Sequence, residues 1–212
     1  MKQYDKTRFE EDYFKSGENS NYTNYQSCNG VVRNMGEVIY NTIRAFKIDI
    51  KSMLDVGCAY GFLVHYFQEK GIDSHGCDVS NYALSQAHEA IKGRLTVAYL
   101  PELKIEPARD YDLIVASEVL EHLYFEDIRP AVKKMVELAN KICIFTIAIS
   151  TGNDFDEDPN DKTHISMLTR ESWDKVFDDL GLTRNYEMEK HLSEQHFSKS
   201  IGWSNRFIVI IK

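Results

Sequence analysis

The chain has 212 residues, of which 43% are hydrophobic and 27% charged, and its formal net charge is −8. That length and apolar share suit one globular domain with a buried core. The acidic balance and the lack of a Lys/Arg cluster argue against a polyanionic partner. No apolar run reaches the roughly 18 residues of a membrane span, and Met1–Lys6 lacks the apolar core of a signal peptide. Cys28, Cys58, Cys77 and Cys143 form no C-x-x-C pair, so reduced, unpaired thiols and a cytoplasmic protein are expected.

Residues 1–50 differ from the rest. Glu18–Asn29 is polar and reads as a loop, and Gly30–Phe46 reads as a helix with an apolar stripe through Val31, Met35, Val38, Ile39, Thr42 and Phe46. Aromatic residues crowd this region (Tyr4, Phe9, Tyr13, Phe14, Tyr22, Tyr25, Tyr40), as a cap on one sheet edge or as a lid over a ligand. From residue 51 to 212 strands alternate with helices, which implies a largely parallel sheet. Strands are expected at Ser52–Val56, Asp73–Asp78, Leu95–Tyr99, Asp112–Ala116, Ile142–Ile149, Leu182–Met188 and Arg206–Lys212. Helices are expected at Gly61–Lys70 with Gly71 as its stop, Asn81–Ile91 capped by Ser80, Ile128–Leu138, and Arg170–Leu180 between a Thr169 cap and Gly181.

Chemistry concentrates in three places. The run Met53-Leu54-Asp55-Val56-Gly57-Cys58-Ala59-Tyr60-Gly61 is a strand entering a small-residue turn that opens a helix, where backbone can approach a nucleotide-like ligand. Its G-x-x-x-G spacing is not the G-x-G-x-x-G of dinucleotide folds. Asp78 ends the second strand, where a carboxylate can accept hydrogen bonds from two ribose hydroxyls, and Val79 follows it. The third is Asp112-Leu113-Ile114-Val115-Ala116-Ser117-Glu118-Val119-Leu120-Glu121-His122-Leu123.

In this order and spacing the three runs resemble the motifs of class I S-adenosylmethionine-dependent methyltransferases, in their small-molecule, ubiquinone-pathway-like branch. The resemblance covers residues 50–150 well and the first fifty poorly. It implies an α/β, Rossmann-like, seven-stranded mixed sheet with helices on both faces, the last strand antiparallel between its neighbours, and an N-terminal helical cap. It implies S-adenosylmethionine as cofactor, held by Asp55, Gly57, Cys58, Ala59, Gly61, Asp78, Val79, Leu100, Ser117 and Glu118. The family's acid after the third strand is missing from Thr96–Glu102, so a backbone contact near Tyr99 or Leu100 is expected there. The acceptor is expected to be a small molecule methylated on O or N, with the cap, the loop Gly152–Lys162 and the segment His191–Asn205, including His196 and Trp203, shaping its pocket.

His122 and His164 are the candidate general bases, since imidazole titrates near neutral pH. Glu118, Glu121, His122 and His164 also form a set that some branches use for a divalent cation, whereas others keep the Glu-His pair without metal. The acidic loop Asp154–Asp161 starts like an EF-hand but has Pro159 and Ile165 where that loop needs Gly and Glu, which excludes calcium. It is a solvated loop or a site attracting a cationic amine. An RNA 2′-O-methyltransferase and a catalytically silent cofactor-binding protein are the rival functions.

Overall fold

The computed structural model describes residues 6–17, 20, 22–105, 109–195 and 205–212. Its six strands are β1 Ser52–Val56, β2 Asp73–Asp78, β3 Leu95–Val97, β4 Tyr111–Ser117, β5 Ala139–Ala148 and β6 Asn205–Ile211. The helices are α1 Glu11–Lys15, α2 Asn29–Ala45, α3 Phe62–Glu69, α4 Asn81–Ser85, α5 Phe125–Leu138, α6 Arg170–Asp178 and α7 Tyr186–Glu194.

The strands form one sheet in the order β3-β2-β1-β4-β5-β6, all parallel except β6, which runs antiparallel to β5. β4 is buried along almost its whole length, as a strand covered on both faces must be. Side chains alternate between two cores. Leu54, Val56, Ile114 and Ala116 pack against Ile128 and Val132 of α5 and Trp173 and Phe177 of α6. Met53, Leu113 and Val115 pack against Met35, Ile39 and Ile43 of α2, Leu63 and Phe67 of α3, and Met188 and Leu192 of α7. After β1 the chain builds outward through β2 and β3, then returns to place β4 on the other side of β1. That reversal opens a crevice at the carboxyl ends of β1 and β4, where open α/β sheets bind ligands.

The sheet departs from the expectation in its last third. The described residues form six strands, not seven. Of the stretch expected as a strand over Leu182–Met188, only Arg184 bridges to β6, at Ile210, and Asn185 then starts α7 by accepting a hydrogen bond from the Met188 amide at 2.9 Å. Side-chain demands decide this. The Arg184 side chain is 2% exposed and is held by Glu189 at 2.8 Å and Asp174 at 2.9 Å, while Glu189 also accepts from the Val209 amide at 3.0 Å. Only a helical turn after Arg184 brings Glu189 back beneath it and turns Met188 and Leu192 into the core. β6 therefore borders that single bridge rather than a full strand. The helix expected over Asn81–Ile91 also breaks: α4 ends at Ser85, and a 3₁₀ turn, Glu89–Arg94, starts where the His88 ring accepts from the Ala90 amide.

At the N-terminus Phe9, Tyr13 and Phe14 are buried with Tyr60 and Ala83, packed against Tyr22 and Tyr25, above the carboxyl end of the sheet. No helix of the described residues is long and apolar enough to cross a membrane.

Candidate active site

β1 ends in a turn built almost wholly from backbone. The amides of Gly57 and Cys58 both donate to the Cys77 carbonyl of β2, at 2.8 and 3.0 Å, and the Gly61 amide donates to the Cys58 carbonyl at 2.8 Å. Gly57 has φ +76°, and a Cβ there would lie 2.4 Å from Cγ2 of Val119, so the position excludes a side chain on both counts. Ala59 holds φ +46° without being glycine. Its amide donates to Oδ2 of Asp78 at 2.8 Å, and the Ser80 amide donates to Oδ1 at 2.8 Å, so Asp78 fastens the turn from the next strand.

Asp55 and Asp78 stand side by side at the mouth of this turn. Burial pushes the Asp55 carboxyl well above its ordinary range, and the neighbouring Asp78 charge pushes it further. Asp78 is raised by burial too, against the opposing pull of the amides of Ser80, Ala59 and Val79. A buried and a half-buried carboxylate with no cation beside them among the described residues favour a positively charged ligand. Burial likewise raises the thiols of Cys58 and Cys77, which leaves them protonated and unreactive.

The crevice holds a cavity of about 290 Å³. Asp55, Gly57, Cys58 and Ala59 line it from the turn, Asp78 and Val79 from the end of β2, Leu100 from the segment after β3, and Ser117 and Glu118 from the end of β4. Gly61 does not line it: with φ +73° it opens α3, and a Cβ there would lie 2.6 Å from Ile91, so its role is packing beneath the turn. Phe9, Tyr13, Phe14, Tyr22 and Tyr25 close the cavity from the N-terminal segment.

A second cavity, of about 720 Å³, adjoins it under the loop after β5 and shares Tyr13, Tyr22, Glu118 and His122 with the first. Glu118 is another non-glycine residue in the left-handed region, at φ +55°, with its amide bonded to the Thr146 carbonyl at 2.8 Å. Its Oε1 accepts from the Thr146 hydroxyl at 2.8 Å, and burial raises the acid to about 7. Glu121, fully buried, is raised by burial and by the Glu118 carboxyl beside it; its Oε1 accepts from the Ala148 amide at 3.1 Å, and its Oε2 has no hydrogen-bond partner in range among the described residues.

His122 is pushed down to about 3, by burial first and by His164 next, and is therefore neutral. Its Nδ1 faces the Thr163 carbonyl at 3.2 Å and the Thr163 hydroxyl at 3.0 Å, and that hydroxyl donates to Asp161 at 2.5 Å. The carbonyl fixes the proton on Nδ1 and leaves the Nε2 lone pair for the site. His164 lines only the second cavity; its Nδ1 lies 2.7 Å from Asp158, and its ring centroid 4.6 Å from that of His122. Glu121, His122 and His164 bring one ligand atom each within 4.8 Å of one another. The unpartnered Glu121 oxygen, with Thr163 and Asp158 orienting the two imidazoles, is a donor set that fits a divalent cation.

Tyr13, Tyr22 and Thr163 escaped the sequence reading as individual site residues. Tyr13 and Tyr22 belonged to the aromatic crowd, but nothing in sequence ties Tyr13 to Asp161, to which its hydroxyl donates at 3.2 Å. His196 and Trp203 lie outside the described residues.

Solved structures of this architecture carry a common name. A magnesium protoporphyrin IX methyltransferase from Synechocystis PCC 6803 with bound S-adenosylhomocysteine superposes with a TM-score of 0.62 over 98% of this chain and 100% of its own, at 15% identity. The plantazolicin methyltransferase BpumL with S-adenosylhomocysteine gives 0.63 over 89% and 86%, at 13% identity. The fold is that of the class I methyltransferases. Residues 54–144 match the model of a methyltransferase-domain family, the span that carries the turn, Asp78 and the Glu-His run. Ubiquinone biosynthesis O-methyltransferases from Bradyrhizobium sp. (strain ORS 278) and Rhodopseudomonas palustris (strain TIE-1) are 35% and 36% identical over 75 residues, which is 34% of this chain and 29% of each relative. The chain thus spans less than a third of the length of these curated relatives.

Proposed function

We propose that the protein is an S-adenosylmethionine-dependent methyltransferase acting on O or N of a small-molecule acceptor in the cytoplasm. The observation that carries this is the pair of carboxylates, buried Asp55 and half-buried Asp78, at the mouth of a glycine turn in the crevice between β1 and β4. The cofactor supplies an activated methyl on sulfonium, which passes to an acceptor lone pair with S-adenosylhomocysteine as leaving group. Asp78 would accept from ribose hydroxyls, Asp55 would hold the ammonium group, and Val79 and Leu100 would flank the base. Ser117 and Glu118 end β4 where the two cavities meet, and Tyr13 and Tyr22 exclude water there. With the methyl already activated, the chain's contribution is alignment and removal of the acceptor's proton, for which His122 and His164 are the bases, His122 being weakened as a base by its burial. Residues 1–50 act as the lid of a domain spanning 51–212.

The unpartnered Glu121 oxygen supports a second reading, in which Glu121, His122 and His164 hold a divalent cation that orients and acidifies an acceptor hydroxyl. An RNA acceptor has less support, because the second cavity is walled by acids.

The test is thermal unfolding with S-adenosylmethionine, S-adenosylhomocysteine and NAD, each with Mg²⁺ or chelator. Stabilisation by the two adenosyl ligands but not by NAD, abolished in Asp78→Ala, is the expected result. No shift with either adenosyl ligand at millimolar concentration would sink the reading. A further shift with Mg²⁺, lost in His164→Ala, would establish the cation site. Cofactor binding without turnover across an acceptor screen would indicate the silent protein instead.

A further inference from the structure

The wall of the second cavity is rich in carboxylates, and besides His122 its one basic side chain among the described residues, His164, is taken up by Asp158 at 2.7 Å. Asp156, Glu157, Asp158 and Asp161 line it from the loop and Glu118 from the end of β4, and among the described residues no lysine or arginine does. The nearest bases turn elsewhere. Lys162 is exposed, and Arg8 donates to the His122 carbonyl at 2.8 Å from the N-terminal side; neither lines either cavity.

Two further observations point to what the cavity takes. Tyr13 and Tyr22, packed edge to face at 5.6 Å, line both cavities where the acceptor must approach, and aromatic faces attract cations. His122, 7% exposed, also lines both; with Nδ1 engaged by Thr163, its Nε2 has no hydrogen-bond partner among the described residues. An entering anion would meet the loop carboxylates; an entering ammonium would meet acceptors and ring faces. We infer that the acceptor is a small molecule bearing an ammonium group, of the aliphatic amine or amino-sugar class, recognised by the acidic loop and by Tyr13 and Tyr22. This rests on the methyltransferase reading only in naming the occupant an acceptor.

The test is a charge series of one shape: benzylamine, benzyl alcohol and benzoate, titrated into the full chain saturated with S-adenosylhomocysteine, in chelator, with binding followed by ligand-detected NMR. Benzylamine is expected to bind on the order of tenfold more tightly than benzyl alcohol, to weaken as salt is added, and to outcompete benzoate altogether. In the D156N/E157Q variant its affinity should drop on the order of tenfold while S-adenosylhomocysteine affinity stays unchanged. Equal binding of the alcohol, tighter binding of benzoate, or no binding of any probe at millimolar concentration would overturn the inference. Benzoate binding that appears only with added Mn²⁺ would also overturn it, assigning the acidic wall to a metal. The series on the parent protein stands even if the variant fails to fold. Failure of S-adenosylhomocysteine to bind the parent would overturn the methyltransferase reading, a separate result from absent cation preference.

Discussion

The two cavities share a wall but are made by different means. The first is held mainly by backbone between adjacent strand ends, with the amides of Gly57 and Cys58 on the Cys77 carbonyl and the Ala59 amide on the Asp78 carboxylate. The second is held by side chains that reach far along the chain. Tyr13 bonds Asp161, the Glu121 carboxyl accepts from the Ala148 amide, and the Ser166 hydroxyl donates to the Leu123 carbonyl, with the backbone amides of Ile165 and Ser166 on the Glu121 carbonyl adding to these. Changes in the first cavity should therefore reach the sheet and the stability of the fold. Changes in the loop around the second should alter only what is bound there.

Asp78→Ala presses hardest on this contrast. It removes the acceptor for two turn amides and for the ribose hydroxyls together. S-adenosylhomocysteine affinity should drop by about 100-fold or more by titration calorimetry, on the order of 3 kcal/mol. Asp156→Asn, across the shared wall, should leave it unchanged. Retention within a few-fold in Asp78→Ala would move the cofactor out of this cavity. Gly57→Ala follows in size. A methyl at φ +76° that would lie 2.4 Å from Val119 should cost roughly 1–3 kcal/mol, seen as a melting point several degrees lower. Val119→Ala combined with it should recover part of the loss; additive losses would mean that strain at φ, not the clash, dominates.

The same contrast decides what could be read from the chain. Most strands, the turn and the ends of β1, β2 and β4 follow from local patterns: an apolar run, small residues at fixed spacing, an acid closing a strand. Asp55, Gly57, Asp78, Ser117 and Glu118 therefore lie where the motifs imply, around one cavity. The placement of Tyr13 over Asp161, and of Thr163 under His122, depends on tertiary closure between residues up to 148 positions apart, which no local period encodes. The missing strand has the same cause. Leu182–Met188 has a strand's composition, but Arg184 needs Glu189 and Asp174 around it, and that demand bends the chain into α7. The Asn185 cap and the acids Glu187 and Glu189 in the first turn are the local signals of the helix.

Asp55→Asn separates stability from binding inside the first cavity. The folded protein raises the Asp55 acid, by burial and then by Asp78. Folded chains thus keep a proton that unfolded chains release above about pH 4, and ligand-free stability falls as pH rises until the folded carboxyl ionises too. Asparagine removes this dependence. At pH 8 the variant should melt higher than the parent by an amount on the order of 1 kcal/mol, with the gap closing toward pH 5. Its cofactor affinity should fall by about tenfold with the ammonium partner gone. A variant less stable than the parent at pH 8 would show that Asp55 is ionised and paired in the free protein.

Tyr13→Phe should have the smallest effect and is the most discriminating within the second cavity. The hydroxyl donates to Oδ2 of Asp161 at 3.2 Å, while Oδ1 keeps the Thr163 amide at 2.9 Å and the Thr163 hydroxyl at 2.5 Å, so the carboxylate is not orphaned. The ring keeps its edge contacts with Phe9, Phe14 and Tyr22. Stability should change by only about 0.5–1 kcal/mol, and S-adenosylhomocysteine affinity should not change. What the variant loses is a tie between the lid and the loop, so the acceptor's KM should rise a few-fold at constant kcat. Asp161 also reaches His122 through Thr163, however, and a fall in kcat with KM unchanged would mean that this chain of bonds sets the orientation of the imidazole. The lid would then position the base as well as close the site, and the boundary between the two cavities would lie at Thr163 rather than at Tyr13.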